Sequence, residues 1–154
     1  MTGPASEVER NRDLWSLVNA QHTDQDAFRQ WSAEDIRWGL FGIPEATIGV
    51  LGDVTGLDVL ELGCGTAFFS SWLMRAGARP VAVDVTPAQL DTARRCQKQF
   101  GLQFPLIEAD AADVPLPSAR FDLWRRIGTG AAPPTLLPVT DASASFLDDL
   151  RQSA

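Results

Sequence analysis

VLELGCGTAFFS, residues 59–70, decides how the rest of the chain is read. An apolar run of strand length reaches Gly63, a second glycine follows at Gly65, and a stretch with helical character begins directly after it. Glycines at such a junction permit tight turns with positive φ and let a ligand approach the backbone without meeting a Cβ. The N–H groups that open the following helix, with its dipole, favour an anionic group beside them. In open α/β sheets ligands sit at this carboxyl edge of the strands. The spacing separates ligand classes. A dinucleotide fingerprint needs a third glycine at position 68, where helix and strand pack closely, and Phe68 stands there instead.

Outward from this junction, strands and helices alternate. DVLELG (58–63) is a short apolar run ending in glycine, and TAFFSSWLMRAG (66–77) reads as a helix closed by Gly77. PVAVDV (80–85) is a second buried strand. Thr86 can cap the next helix, Pro87 suits its first turn, Leu90, Ala93 and Phe100 face inward, and Gly101 stops it. FPLIEAD (104–110) is a third strand and RFDLWRRI (120–127) a fourth. Strands alternating with helices of this length predict βαβ units with right-handed crossovers and a parallel sheet.

Three acids stand out on this frame. Glu61 lies on an otherwise apolar strand, where burying a carboxylate without partners is costly. Asp84, 19 residues beyond Gly65, ends the second strand and is placed to accept hydrogen bonds from ribose hydroxyls. Asp110 closes the third strand, within reach of an adenine amino group. As isolated features, all three would be solvated acids at strand ends.

N-terminal to this region, residues 5–38 read as two helices, with Val8, Leu14, Trp15, Leu17 and Val18 near helical spacing in the first. Phe28, Trp31, Ile36 and Trp38 follow that spacing less regularly in the second, and Gly39, Gly42 and Pro44 break it before a short helix at 45–51. Residues 1–52 thus form a helical cap laid against a domain at 53–127. Trp31 and Trp38 are core aromatics in the ordinary case, with a cover over a ligand as the alternative. After Ile127, GTGAAPPTLLPVTDASASF carries one charge, three prolines and neither strand nor helix periodicity, so 128–154 reads as an irregular tail with a weak helix in SFLDDLRQ.

Composition excludes several functions. The 154 residues are 45% hydrophobic and 21% charged, an ordinary globular balance able to bury roughly 70% of the unfolded surface. A formal net charge of -7 and a sequence pI near 4.6 repel a nucleic-acid backbone. Two cysteines, Cys64 and Cys96, with no C-x-x-C pair, and one histidine, His22, support neither a disulfide framework nor a metal cluster. The start MTGPASEVERNRD has no signal-peptide core, and no run approaches the roughly 18 apolar residues of a membrane span, so a cytoplasmic location is expected.

ELGCGT (61–66), the acidic strand end in VAVDVT (81–86) and the stretch EADAADVPLPSARFDL (108–123) together resemble the class I S-adenosylmethionine-dependent methyltransferases, in the subgroup containing ubiquinone-type and many small-molecule enzymes. The resemblance covers about residues 58–123. It implies a Rossmann-like, doubly wound, mostly parallel sheet of about four strands in the order 3-2-1-4, and methyl transfer from S-adenosylmethionine to a small-molecule acceptor. By the same resemblance, Glu61 helps hold the methionine amino group through the loop, while Gly63, Cys64 and Gly65 line the methionine and ribose. Asp84 takes the ribose diol, Val85 packs on the adenine, and Asp110 and Ala111 address its edge. Cys64 is expected to be a small loop residue rather than a nucleophile, because no base is paired with it, and Cys96 a small hydrophobe.

The family fold has seven strands, and after FDL this chain continues WRRIGTGAAPPTLLPVT, which matches none of the family's later segments. That departure is expected to reflect a truncated, frame-shifted or divergent short form. It would leave the fourth strand an unprotected edge, so that either the chain self-associates or residues from about 125 onward are mobile. Two other readings stay open: a non-catalytic cofactor-binding fragment, and a nicotinamide-dependent oxidoreductase that uses Asp84 for its ribose.

Overall fold

The apolar runs on either side of the glycine junction become adjacent parallel strands. In the computed structural model, which describes residues 7–20, 24–38, 41–111, 113–115, 121–126 and 135–138, the chain runs α1 (Glu7–Ala20), α2 (Asp24–Trp31), β1 (Arg37–Trp38), β2 (Ile43–Pro44), α3 (Glu45–Ile48), β3 (Asp58–Leu62), α4 (Phe68–Arg75), β4 (Arg79–Asp84), α5 (Pro87–Phe100), β5 (Leu106–Glu108), β6 (Leu123–Arg126) and β7 (Thr135–Pro138). The main sheet has the order β5-β4-β3-β6-β7. β3 pairs in parallel with β4 and β6, and β4 with β5, which is the expected 3-2-1-4 arrangement.

Both faces of β3 and β4 are covered, so neither strand alternates apolar with polar. Leu60, Leu62, Val81 and Val83 pack on one face against Phe121, Ile107, Ala109, Ala111 and Val114. On the other, Val59 joins Phe69 and Leu73 of α4, while Ala82 joins Leu90, Ala93 and Cys96 of α5. Among the described residues, the helices cover that second face; the first is covered by Ile107, Ala109, Ala111, Val114 and Phe121.

Local chemistry accounts for the helix ends only in part. Pro87 opens α5 and Gly101, at φ 66°, closes it, but the Thr86 hydroxyl makes no capping bond. The Thr86 N–H donates instead to Asp84 Oδ1 at 2.8 Å. Ala67 precedes α4 and has no side chain that can cap it. Glu61 substitutes from the adjacent strand: Oε2 accepts the N–H of Ser70, the third residue of α4, at 3.0 Å and also the Ser70 hydroxyl. A fully buried carboxylate at a helix N-terminus meets both the orphan donors and the favourable end of the dipole.

Two expectations for the C-terminal part change. β6 is not an open edge, since β7 pairs with it antiparallel, Leu123 opposite Pro138 and Arg126 opposite Thr135. The stretch after Ile127 is therefore not irregular throughout, and self-association through an uncovered β6 loses its basis. A four-residue strand that pairs with a ready-made edge takes its conformation from that edge and needs no periodicity of its own. The helix expected in SFLDDLRQ and the lone His22 lie outside the described residues.

The N-terminal reading also shifts. α2 ends at Trp31, so Ile36 and Trp38 belong to the following bend and the β1–β2 hairpin rather than to the helix. Both are core residues. Trp38 packs edge-on against Phe69 at 5.8 Å, and its indole donates to the buried carboxylate of Glu45. Leu14 and Leu17 point outward, at 54% and 65% exposure.

The Glu61 cap yields a stability test. Glu61→Ala should destabilise the fold by about 1–3 kcal/mol, because the Ser70 donors are left buried without their acceptor. Glu61→Gln keeps an acceptor and should cost less. Thermal unfolding of both variants checks this, and equal losses would argue against the capping role.

Candidate functional site

A cavity of about 460 Å³ opens at the carboxyl ends of β3 and β4. Its floor is the loop from Leu62 to Thr66, its walls are Asp84 and Val85 on one side and Ala109, Asp110 and Ala111 on the other, and α1 and α2 roof it. Seven of the eight residues singled out from the sequence therefore meet there: Gly63, Cys64, Gly65, Asp84, Val85, Asp110 and Ala111. Glu61 is not on the cavity surface; it lies beneath the loop in its capping role, so any effect on a ligand passes through the loop.

The loop conformation depends on residues with positive φ. Gly63 sits at φ 68° and Gly65 at φ 55°. A Cβ on Gly65 would come no closer than 3.8 Å to the Gln89 side chain, so the constraint there is conformational rather than steric. Ala67 also adopts a left-handed conformation, φ 56° and ψ 30°, which costs an L-residue roughly 1–2 kcal/mol.

Asp84 ties the site together. Oδ2 accepts the Gly65 N–H and Oδ1 the Thr86 N–H, each at 2.8 Å, so one carboxylate joins the turn after β3 to the turn after β4. Each oxygen keeps lone-pair capacity for a further donor. The loop is also fixed by Cys64 N–H to Val83 O at 2.9 Å and Ala67 N–H to Cys64 O at 2.8 Å. Burial, reinforced by Glu61 and then Asp84, holds the Cys64 thiol well above its usual range. A protonated, buried thiol is a poor nucleophile, in line with the reading of Cys64 as a small loop residue. Burial likewise pushes Cys96 up to about 11.

The roof is held by specific contacts. Arg12 Nε donates to Val85 O at 3.2 Å and Asn19 Nδ2 to Ala88 O at 3.3 Å, tying α1 to the β4–α5 turn and to the first turn of α5. Trp31 is fully buried in α2 and donates from Nε1 to Thr66 O at 2.8 Å. It is thus a core aromatic that also touches the loop. Asp24 and Arg95 form a two-point ion pair between α2 and α5, but both are about half exposed, so it contributes little.

Sequence reasoning did not assign the roof residues to the site. Val8, Asn11, Trp15, Val18 and Asn19 line the cavity from one face of α1, and Asp26 and Gln30 from α2. The available signal was two asparagines at helical spacing with Val8, Trp15 and Val18, an unusual place for polar groups unless a polar partner faces them. Among the described residues there is no cluster of three or more potential metal ligands, and no helix long and apolar enough to cross a membrane.

A family profile described as a methyltransferase domain matches residues 59–134, which holds the loop, both cavity walls and β6. The chain is 36% identical over 81 residues to a malonyl-(acyl-carrier protein) O-methyltransferase of Serratia marcescens, covering 53% of this chain and 30% of that protein. It is 31% identical over 124 residues to a dimethylglycine N-methyltransferase of Parasynechococcus marenigrum, covering 70% and 44%. The chain thus spans less than half the length of these curated relatives. In fold it is similar to the crystal structure of a putative S-adenosyl-L-methionine-dependent methyltransferase from Methanococcus maripaludis, with TM-score 0.55 and 15% identity over 98% of this chain and 62% of that one. The profile match falls on the same strand–loop–helix unit that carries Gly63, Gly65 and Asp84, and together these matches support a class I S-adenosylmethionine-dependent methyltransferase.

Proposed function

We propose that this chain binds S-adenosylmethionine in the cavity above β3 and β4, and that the protein transfers its methyl group to a small-molecule acceptor. Asp84 is the observation that carries the reading: a carboxylate on the cavity wall, already oriented by two backbone N–H groups, with acceptor capacity left for a vicinal diol. The rest of the lining fits the same ligand. Gly63, Cys64 and Gly65 offer a backbone floor for the methionine and ribose, Val85 and Ala111 offer apolar contact for the adenine, and Asp110 an acceptor at its edge. Glu61 would act on the methionine end only through the loop it supports.

S-adenosylmethionine supplies a methyl group already activated on a sulfonium, so the protein needs no nucleophile of its own. What the chain's residues contribute is alignment and exclusion of water. Trp15 and Phe68 give the cavity apolar surface, and Asn11 and Gln30 give it polar groups on the roof side, where an acceptor would lie. The relatives named above include both an O- and an N-methyltransferase, and the acceptor is proposed here only as a small molecule.

Calorimetric titration with S-adenosylhomocysteine should give one site, and Asp84→Ala should weaken it by about 1–3 kcal/mol, the cost of a lost polar partner. Absence of binding by the wild-type protein would overturn the cofactor assignment. A parallel titration with NAD addresses the oxidoreductase reading. Phe68 occupies the position where close strand–helix packing over a dinucleotide needs glycine, so NAD should bind at least about tenfold more weakly than S-adenosylhomocysteine.

A further inference from the structure

We propose that Trp31 is a positioning residue for the glycine loop, its indole N–H clamping the Thr66–Ala67 peptide in the strained orientation that shapes the cavity floor. The proposal rests on the cofactor reading above for its functional consequence, but its structural content stands apart from it. Both ends of this one peptide unit are pinned: the Ala67 N–H donates to Cys64 O at 2.8 Å, and Thr66 O accepts from Trp31 Nε1 at 2.8 Å. Ala67 at φ 56° is the residue that would relax if the peptide turned over, since an L-residue gains by leaving the left-handed region. Turning the peptide breaks both hydrogen bonds, so the indole opposes the relaxation the backbone favours.

Trp31 is itself held firmly enough to do this. Its ring stacks on Phe104 at 5.9 Å and 17° and lies 5.8 Å from Phe100, while Arg75 donates to its carbonyl at 2.7 Å. It is 0% exposed. The clamp reaches the loop from α2, a segment outside the matched domain at 59–134, and so couples the N-terminal roof to the cavity floor.

Amide hydrogen exchange on the ligand-free protein, followed by titration with S-adenosylhomocysteine, tests the clamp. Trp31→Phe keeps an aromatic ring and deletes the donor, and should raise exchange at Ala67 and Ser71 and weaken S-adenosylhomocysteine about fivefold, leaving the β4 amides unchanged. Adding Ala67→Gly, for which the left-handed conformation carries no penalty, should restore affinity to within about twofold. Phe104→Leu thins the same ring stack with the indole donor intact, and should lower the melting temperature without changing affinity. The clamp is overturned by wild-type loop exchange in Trp31→Phe, by equal affinity loss in Phe104→Leu, or by failure of Ala67→Gly to restore binding. Should Trp31→Phe not fold, NMR of the wild-type Trp31 indole N–H decides. Exchange as slow as the β4 amides supports the clamp, and exchange at the rate of an exposed indole overturns it. If the wild-type protein binds no S-adenosylhomocysteine, the cofactor reading fails while the exchange arms still judge the clamp.

Discussion

The carboxylate of Asp84 is the constraint on which the cavity depends. Two parallel strands end side by side, and the chain leaves each through a turn in which one N–H, of Gly65 or of Thr86, turns to a side chain for its acceptor. Asp84 accepts one N–H from each turn, Gly65 after β3 and Thr86 after β4, and is itself 91% removed from solvent by the surrounding loop and roof (9% exposed). Hydrogen bonds to a carboxylate are stronger than those between neutral groups, and a half-satisfied buried acid is costly. The two turns are therefore locked to each other, and the cavity between them keeps a definite shape before any ligand arrives.

Around this tie the loop is supported from three directions. Glu61 reaches from β3 beneath it to the N-terminus of α4, Asp84 holds it from β4, and Trp31 meets it from α2 above. Each support answers a need that the loop sequence creates. Ala67 has no capping side chain and occupies a left-handed conformation, so α4 needs a foreign acceptor and the preceding peptide needs an external donor. The two acids also explain the inert thiol between them: burial and two neighbouring negative charges all disfavour a Cys64 thiolate.

The roof shows how an N-terminal helical segment enters a site built mainly by a sheet. Apart from its ends, α1 is solvent-exposed on its Leu14–Leu17 side and turns Val8, Asn11, Trp15 and Val18 toward the cavity. Its polar ties go to the carbonyl of Val85, on the turn that Asp84 organises, and to that of Ala88 in the first turn of α5. The same carboxylate thus shapes the floor and fixes the segment on which the roof rests.

Most of the sheet and much of the floor were legible in the sequence because they depend on residues close together in the chain. Apolar runs of strand length, Pro87 and Gly101 bounding α5, glycines where φ turns positive and Asp84 at a strand end are all local signals, and the 3-2-1-4 order follows from the way crossovers pack. What local pattern could not supply were partners brought together from afar. The Trp31 indole and the Thr66 carbonyl are 35 residues apart, Arg12 and Val85 are 73 apart, and β7 is a strand because β6 offers it an edge. Glu61 read as an anomalous buried acid and became a helix cap only once α4 had folded back over β3. The sequence by itself determined which groups needed partners, and the tertiary structure alone decided which partners they met, since a hydrogen bond depends on where the chain has been carried and not on how far along it the partner lies.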